Sequence, residues 1–286
     1  MCTYFSIVTC RNSENNVEAS LLSLKNQTLK PEYVIVVDDG STDKTPEILK
    51  RIQKDWQSLH VITNPDFGYD IGRVVSNWNK AIKFAYELKL KETDYHMIST
   101  DDTEYEKRYA EKIVSFINSN PQVAIASGMI YGDLKYKFPR GAGRFVKNSF
   151  LISKYGFYPE KMGYESAVLY MAEQCGFKSA VVKDAKFKHT RELGAGHHFY
   201  EYGAGMRTLG YHKLFVLGRF LLYFVTGKPI GRKGAIYMLY HYLTYSPKES
   251  GYDSLYDKEI RDFVRKTQSD LIKNMLKGKP TEYTLC

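Results

Sequence analysis

Short apolar runs at Tyr4 to Thr9, Tyr33 to Val37, His60 to Thr63, Tyr95 to Ser99 and Val123 to Ser127 alternate with helix-like stretches. That alternation predicts an α/β fold built on a mostly parallel sheet flanked by helices. Two of the runs end in paired carboxylates: Asp38 and Asp39 follow Val37, and Asp101 and Asp102 follow Thr100. In an open α/β sheet, ligands bind in the crevice beyond the carboxyl ends of the strands. Two acidic strand ends therefore predict one shared site, and acid pairs there suit a divalent metal and a ribose.

A chain of 286 residues with 43% hydrophobic content can bury a sizeable core, and 9 prolines and 21 glycines are too few for disorder. The length predicts a main domain with a smaller appendage, divided as 1–208 and a helical region 209–286. The net charge of +9 comes largely from lysines scattered along the chain. Such a surface favours anionic partners, phosphorylated substrates or acidic lipid, while the absence of a basic block or a reading module argues against nucleic acid. Cys2, Cys10, Cys175 and Cys286 lack CxxC spacing, so neither zinc nor a disulfide framework is indicated. A reducing, cytosolic setting is expected, and strand-like sequence from Tyr4 onward leaves no room for a secretory leader.

Helix-start signals refine the picture. Thr45 before Pro46 and Glu47 reads as an N-cap with proline in the first turn, and Thr103-Glu104-Tyr105-Glu106 reads as a capping box. Asp102 is thus expected between a strand end and a helix start, where free backbone N–H groups favour a phosphate and carboxylates favour a cation. Both acid clusters also suit plain turns, because Asp caps and turns readily and Gly40 can supply an unusual dihedral.

The wider series shifts that balance. Ser6-Ile7-Val8-Thr9-Cys10-Arg11-Asn12, Ser23-Leu24-Lys25-Asn26-Gln27-Thr28, Val36-Val37-Asp38-Asp39-Gly40-Ser41-Thr42-Asp43-Lys44-Thr45, Asn79-Lys80-Ala81-Ile82 and Thr100-Asp101-Asp102 follow in order. This series resembles the nucleotide-binding half of family 2 glycosyltransferases, which have the GT-A fold. The resemblance implies a GT-A catalytic domain over 1–208 and an inverting, metal-dependent sugar transfer. Its donor would be a nucleotide-diphosphate sugar, UDP-linked in first place and GDP-mannose in second.

Carried over by position, the resemblance implies that Thr9, Arg11 and Asp39 line the base pocket, with Glu14 and Arg73 nearby and Asp101 beside the ribose. Asp102, with Asp101 and His189, would hold Mn²⁺ or Mg²⁺ at the diphosphate. Ser99 stands where the family commonly has the first aspartate of Asp-x-Asp-Asp. His189, which follows the alternating Ala185-Lys186-Phe187-Lys188, resembles the histidine ending the family's late strand. Glu165, in Gly163-Tyr164-Glu165-Ser166, resembles the acidic helix start that supplies the base, although an acid in a first helical turn is also stabilised by the dipole alone.

The stretches Lys135 to Arg144 and Glu192 to His198 are candidate acceptor-side loops, but Gly194-Ala195-Gly196 is too short for a phosphate fingerprint. Lys213 to Val225 and Ala235 to Tyr245 are rich in Leu, Phe and Tyr yet shorter than the roughly 20 apolar residues a spanning helix needs. They suit interfacial helices with basic flanks, hence peripheral membrane contact and a lipid-linked acceptor, or else packing on the catalytic domain or a homo-oligomer interface. Tyr256 to Leu276 reads as a terminal amphipathic helix. Alternatives from other classes are a sugar nucleotidyltransferase, which would want a glycine-rich basic loop after the first strand, and a non-enzymatic nucleotide-binding scaffold.

Overall fold

The computed structural model describes residues 2–132, 139–191 and 199–277. The candidate loop Glu192 to His198 and Cys286 lie outside them, as do residues 135–138 of the other candidate loop. The chain divides into two compact units, Met1–Tyr158 with Gly176–Glu192, and Pro159–Cys175 with Leu193–Cys286. The division therefore cuts the chain three times instead of once after residue 208.

In the first unit the elements run β1 (Tyr4–Cys10), α1 (Val17–Lys25), β2 (Val34–Asp38), α2 (Thr45–Lys54), β3 (Leu59–Thr63), α3 (Arg73–Glu87), β4 (Tyr95–Thr100), β5 (Thr103–Tyr105), α4 (Tyr109–Ser119), β6 (Val123–Ile130), β7 (Arg144–Lys147) and α5 (Ile152–Tyr155). The second unit then supplies α6 (Tyr164–Gln174), and β8 (Lys178–His189) returns to the first. The apolar runs read from the sequence are thus β1, β2, β3, β4 and β6.

They join an 8-stranded sheet in the order β3-β2-β1-β4-β7-β6-β8-β5. Pairings β1–β2, β1–β4, β2–β3 and β6–β8 are parallel, while β7 and β5 run antiparallel to their neighbours. One face carries Tyr4, Val8 and Cys10 of β1 into a core shared with Leu21 and Leu24 of α1, Leu49 of α2 and Tyr109 and Ile113 of α4. On the other, α3 packs on β1 and β2. There Phe5 stacks on Tyr33, and His60 meets Phe84 edge-on. Strands buried on both faces explain why β1, β2 and β4 read as near-continuous apolar runs.

Two sequence expectations are corrected. Thr103 to Glu106 is no helix start: Thr103 and Tyr105 are buried, Glu104 between them is partly exposed, and β5 pairs antiparallel with His189 to Phe187 of β8. The period of two overrides the capping-box signal, and the next helix begins only at Tyr109. Thr45 is the first residue of α2 instead of its cap, since its Oγ1 accepts the Ser13 N–H at 2.8 Å.

Gly40 shapes the turn after β2. Its φ is +72°, and a Cβ there would lie 2.6 Å from Asp66 Cα and 2.7 Å from the Pro65 carbonyl oxygen. Gly40→Ala is expected to cost about 1–3 kcal/mol from backbone strain alone. Calorimetry should show the melting temperature falling by about 2–4 °C per kcal/mol, and an unchanged melting temperature would remove the strain argument.

The second unit continues with α7 (Tyr200–Thr208), α8 (Lys213–Thr226), α9 (Gly231–Thr244) and α10 (Lys258–Leu276). Their placement agrees with the apolar runs and the amphipathic C-terminal stretch. Among the described residues no helix is long and apolar enough to cross a membrane.

Candidate functional site

Strand register brings the two acid clusters together. Thr9 of β1 lies opposite Val37 on one side and Thr100 on the other, and Cys10 lies opposite Asp38. Asp39 and Asp101 therefore leave the sheet at one level on either side of β1. Neighbouring strands are about 4.8 Å apart, so the two acids flank a gap of about 10 Å at the carboxyl edge.

On the first side, Asp38 ends β2 fully buried, with Oδ1 accepting from the Ser41 hydroxyl at 2.6 Å and its N–H at 3.1 Å. This ties the Asp-Asp-Gly-Ser turn to the strand. Asp39 is also buried, and its carboxylate accepts from Arg73 Nε at 3.1 and 3.2 Å and from Asn64 Nδ2 at 3.1 Å. Burial acts to raise its pKa, but hydrogen bonds from Arg73, Asn64 and Asn77 outweigh it and hold the carboxyl below its ordinary value. Asn64 also donates to Asn77 at 2.9 Å and receives Lys80 Nζ. Arg73 Nη2 adds a further contact to Oδ2 at 3.1 Å, so the Asp39 carboxylate is held on both oxygens.

Arg11 bridges the turn from β1. Its Nη1 donates to the Asp39 and Gly40 carbonyls, and its Nη2 meets Asp66 at 2.7 Å. Glu14 sits at the start of α2, its carboxylate accepting the Lys44 N–H at 3.0 Å. Thr9 is partly exposed at the end of β1.

On the second side, Asp101 is buried, and its Oδ2 accepts from the Ser13 hydroxyl and from Arg191 Nη2 at 2.8 Å. Burial pushes the Asp101 carboxyl up to about 6, with Arg191 opposing the rise and Asp102 adding to it. Asp102 Oδ1 accepts from Thr100 Oγ1 at 2.7 Å and faces His189 Nδ1 at 3.4 Å. Burial acts to raise its pKa as well, but the contacts from His189 and Thr100 prevail and hold it low. The antiparallel β5–β8 pair places this histidine, since Thr103 lies opposite His189 and their side chains are 3.1 Å apart.

Among the described residues no three His, Cys, Asp or Glu side chains gather as a metal cage. The adjoining pair is Asp102 and His189, while Asp101 is held by Arg191 and Ser13. One carboxylate and one imidazole still fit a divalent cation such as Mn²⁺ whose remaining ligands would come from phosphate oxygens and water; Mg²⁺, which prefers oxygen donors, would rely on the carboxylate. Ser99 is fully buried, its hydroxyl 2.9 Å from that of Tyr105. The position lacking the first family aspartate is thus occupied by packing.

Glu165 lies in the second unit, exposed in the first turn of α6, after Gly163 in a left-handed conformation with φ 82°. Sequence reasoning assigned no role to Ser13, Asn64, Asn77, Lys80 or Arg191. Lys80 was visible within Asn79-Lys80, and Arg191 stands two residues beyond His189, where strand alternation would return it to the same side. Asn64 and Asn77 carry no local signal.

An eight-stranded mixed sheet with an acidic carboxyl edge defines an α/β protein of GT-A type. The profile described as Glycosyl transferase family 2 matches residues 6–184, and the chain belongs to that family. His189 and Arg191 lie just beyond the matched residues. Over 76 residues the chain is 34% identical to an uncharacterized glycosyltransferase of Haemophilus influenzae, covering 26% of this chain and 23% of that protein. It thus spans less than a quarter of that relative's length.

Among solved structures, S. aureus TarS aligns with a TM-score of 0.54 at 16% identity over 85% of this chain and 44% of that one. Its 1–349 form in complex with UDP-GlcNAc gives 0.55 at 17% identity, over 84% and 71%. The mannosyltransferase PcManGT of Pyrobaculum calidifontis, in complex with GDP-Man and Mn²⁺, gives 0.51 at 15% identity, over 97% and 76%. At these identities the likeness is one of fold.

Proposed function

We propose that the protein transfers a sugar, with inversion, from a nucleotide-diphosphate sugar to a hydroxyl or phosphate of an acceptor. The observation carrying this reading is the pair of buried carboxylates, Asp39 and Asp101, on either side of the end of β1. One nucleoside reaches both: the Asp39 carboxylate would accept from a base N–H, and Asp101 would take the ribose. Thr9 and Arg11 line the base side, with Glu14 and Arg73 beside it. Arg73 keeps Asp39 ionised and oriented.

Asp102 and His189 would hold Mn²⁺ or Mg²⁺, with Asp101 alongside. The cation would neutralise charge developing on the leaving diphosphate. Glu165 is the proposed base that removes the acceptor hydroxyl proton as that oxygen attacks the anomeric carbon. A UDP-sugar is the favoured donor and GDP-mannose the second; the neighbouring folds bind one donor of each kind. The acceptor is proposed to be lipid-linked, with the transfer on the cytoplasmic side.

The direct test is nucleotide-diphosphate release from a panel of UDP-, GDP- and dTDP-sugars with Mn²⁺, Mg²⁺ or EDTA, with lipid extract as acceptor source. Metal-dependent release from one donor supports the reading; nucleotide binding without release in any mixture points to a scaffold. For the base pocket, Asp39→Asn is expected to weaken nucleotide binding by about 10- to 100-fold, the equivalent of a charge-assisted hydrogen bond of about 1.5–3 kcal/mol. Titration calorimetry with the free nucleotide measures it, and affinity equal to that of the parent would remove Asp39 from the pocket.

A further inference from the structure

We infer that α8 and α9 form a docking surface for an anionic lipid bilayer, on which the protein lies without crossing it. The observation is an apolar face left exposed among the described residues. In α8 the exposed residues Leu214, Leu217, Leu221 and Val225 recur at helical spacing, and Val216 is the buried residue of the helix. In α9 Ile236, Tyr240 and Leu243 repeat the pattern, opposite the buried stripe Gly234, Ala235, Met238 and Tyr242. Side chains as large as Leu222, 58% exposed, and Val225, 71% exposed, are uncommon together on a face that meets only water.

Charge selects the occupant. Exposed Lys213, Lys228, Arg232 and Lys233 stand at the ends of the two helices and in the turn between them. No Asp or Glu occurs between Glu201 and Glu249. A second copy of the chain would bring the same basic groups against this face, which like-charge repulsion disfavours. An anionic headgroup layer instead meets the lysines and arginines while its acyl boundary receives the leucines, the arrangement of an interfacial amphipathic helix. Each helix has 14 residues. At 1.5 Å per residue that is about 21 Å, short of the roughly 30 Å hydrocarbon core, so the helices lie along the interface. This surface stands independently of the proposed transfer reaction.

The test is sedimentation of the purified full chain with vesicles of phosphatidylcholine and phosphatidylglycerol, beside vesicles of phosphatidylcholine alone. Binding to the anionic vesicles is expected to exceed binding to the neutral ones by at least about tenfold, and to fall with added salt. The triple variant K228E/R232E/K233E should lose about 100-fold of the anionic binding. The variant L217Q/L221Q/V225Q should lose at least about tenfold on both vesicle types. Circular dichroism and free-nucleotide affinity should stay at parental values in both, because none of these residues belongs to the nucleotide site. Absence of vesicle binding, equal binding of parent and variants, or a dimer in light scattering that L217Q/L221Q/V225Q dissociates would each overturn the inference.

Discussion

Asp102→Ala is expected to lower the rate of sugar transfer by about 10³-fold while affinity for the uncharged nucleoside changes little. A cation at a developing phosphate charge contributes several kcal/mol of transition-state stabilisation, and each 1.36 kcal/mol is a factor of ten in rate. Asp102 is a good candidate to hold it, since Thr100 and His189 keep its carboxyl below the ordinary value and its Oδ1 already faces the imidazole at 3.4 Å. The proposed base and ribose contacts lie elsewhere, at Asp39 and Asp101, so affinity for the uncharged nucleoside should be the least affected quantity. Initial rates across a Mn²⁺ titration, with calorimetric binding of nucleoside and nucleoside diphosphate in parallel, separate these effects. A variant within tenfold of the parent at saturating Mn²⁺ would remove Asp102 from the metal role. His189→Ala tests the same pair from the other side, and should raise the Mn²⁺ concentration needed for half-maximal rate.

Glu165→Gln is expected to lower the turnover rate by about 10²- to 10⁴-fold with donor affinity unchanged, the range over which a positioned general base acts. The substitution keeps size and hydrogen-bonding capacity at an exposed first-turn position of α6, so folding should be preserved. The competing explanation is that Glu165 merely complements the helix dipole, a contribution of about 0.3–1 kcal/mol. That alternative predicts a melting temperature lowered slightly and a rate nearly intact. Transfer rate and melting temperature measured together therefore decide between them, and a rate within threefold of the parent would sink the assignment of the base.

The parts of the site legible in the sequence are those carried by contiguous residues. Val36-Val37-Asp38-Asp39-Gly40-Ser41 announces a buried strand, a tight turn and a carboxylate at its mouth, because burial on both faces demands an unbroken apolar run and φ +72° favours glycine. Thr100-Asp101-Asp102 reads the same way up to its last residue. Beyond it the local signal misleads: Thr103-Glu104-Tyr105-Glu106 has the composition of a capping box, yet Thr103 and Tyr105 are drawn into the sheet by β8. That partner is 86 residues away at the Thr103–His189 contact, so no local pattern announces it.

Sequence by itself determined the alternation of strands and helices, the acid-tipped ends of β2 and β4, the residue types proposed for base, ribose and metal, and the apolar, basic character of the C-terminal helices. Each follows from side-chain chemistry and periodicity within a few residues. Tertiary structure alone decided that Arg191 closes on Asp101 and Ser13, across separations of 90 and 178 residues. It likewise decided that Asn64 supports Asp39 and that His189 turns toward Asp102. These contacts depend on which strands become neighbours and in what register, and register is set by the hydrogen-bond ladder and burial of the whole sheet.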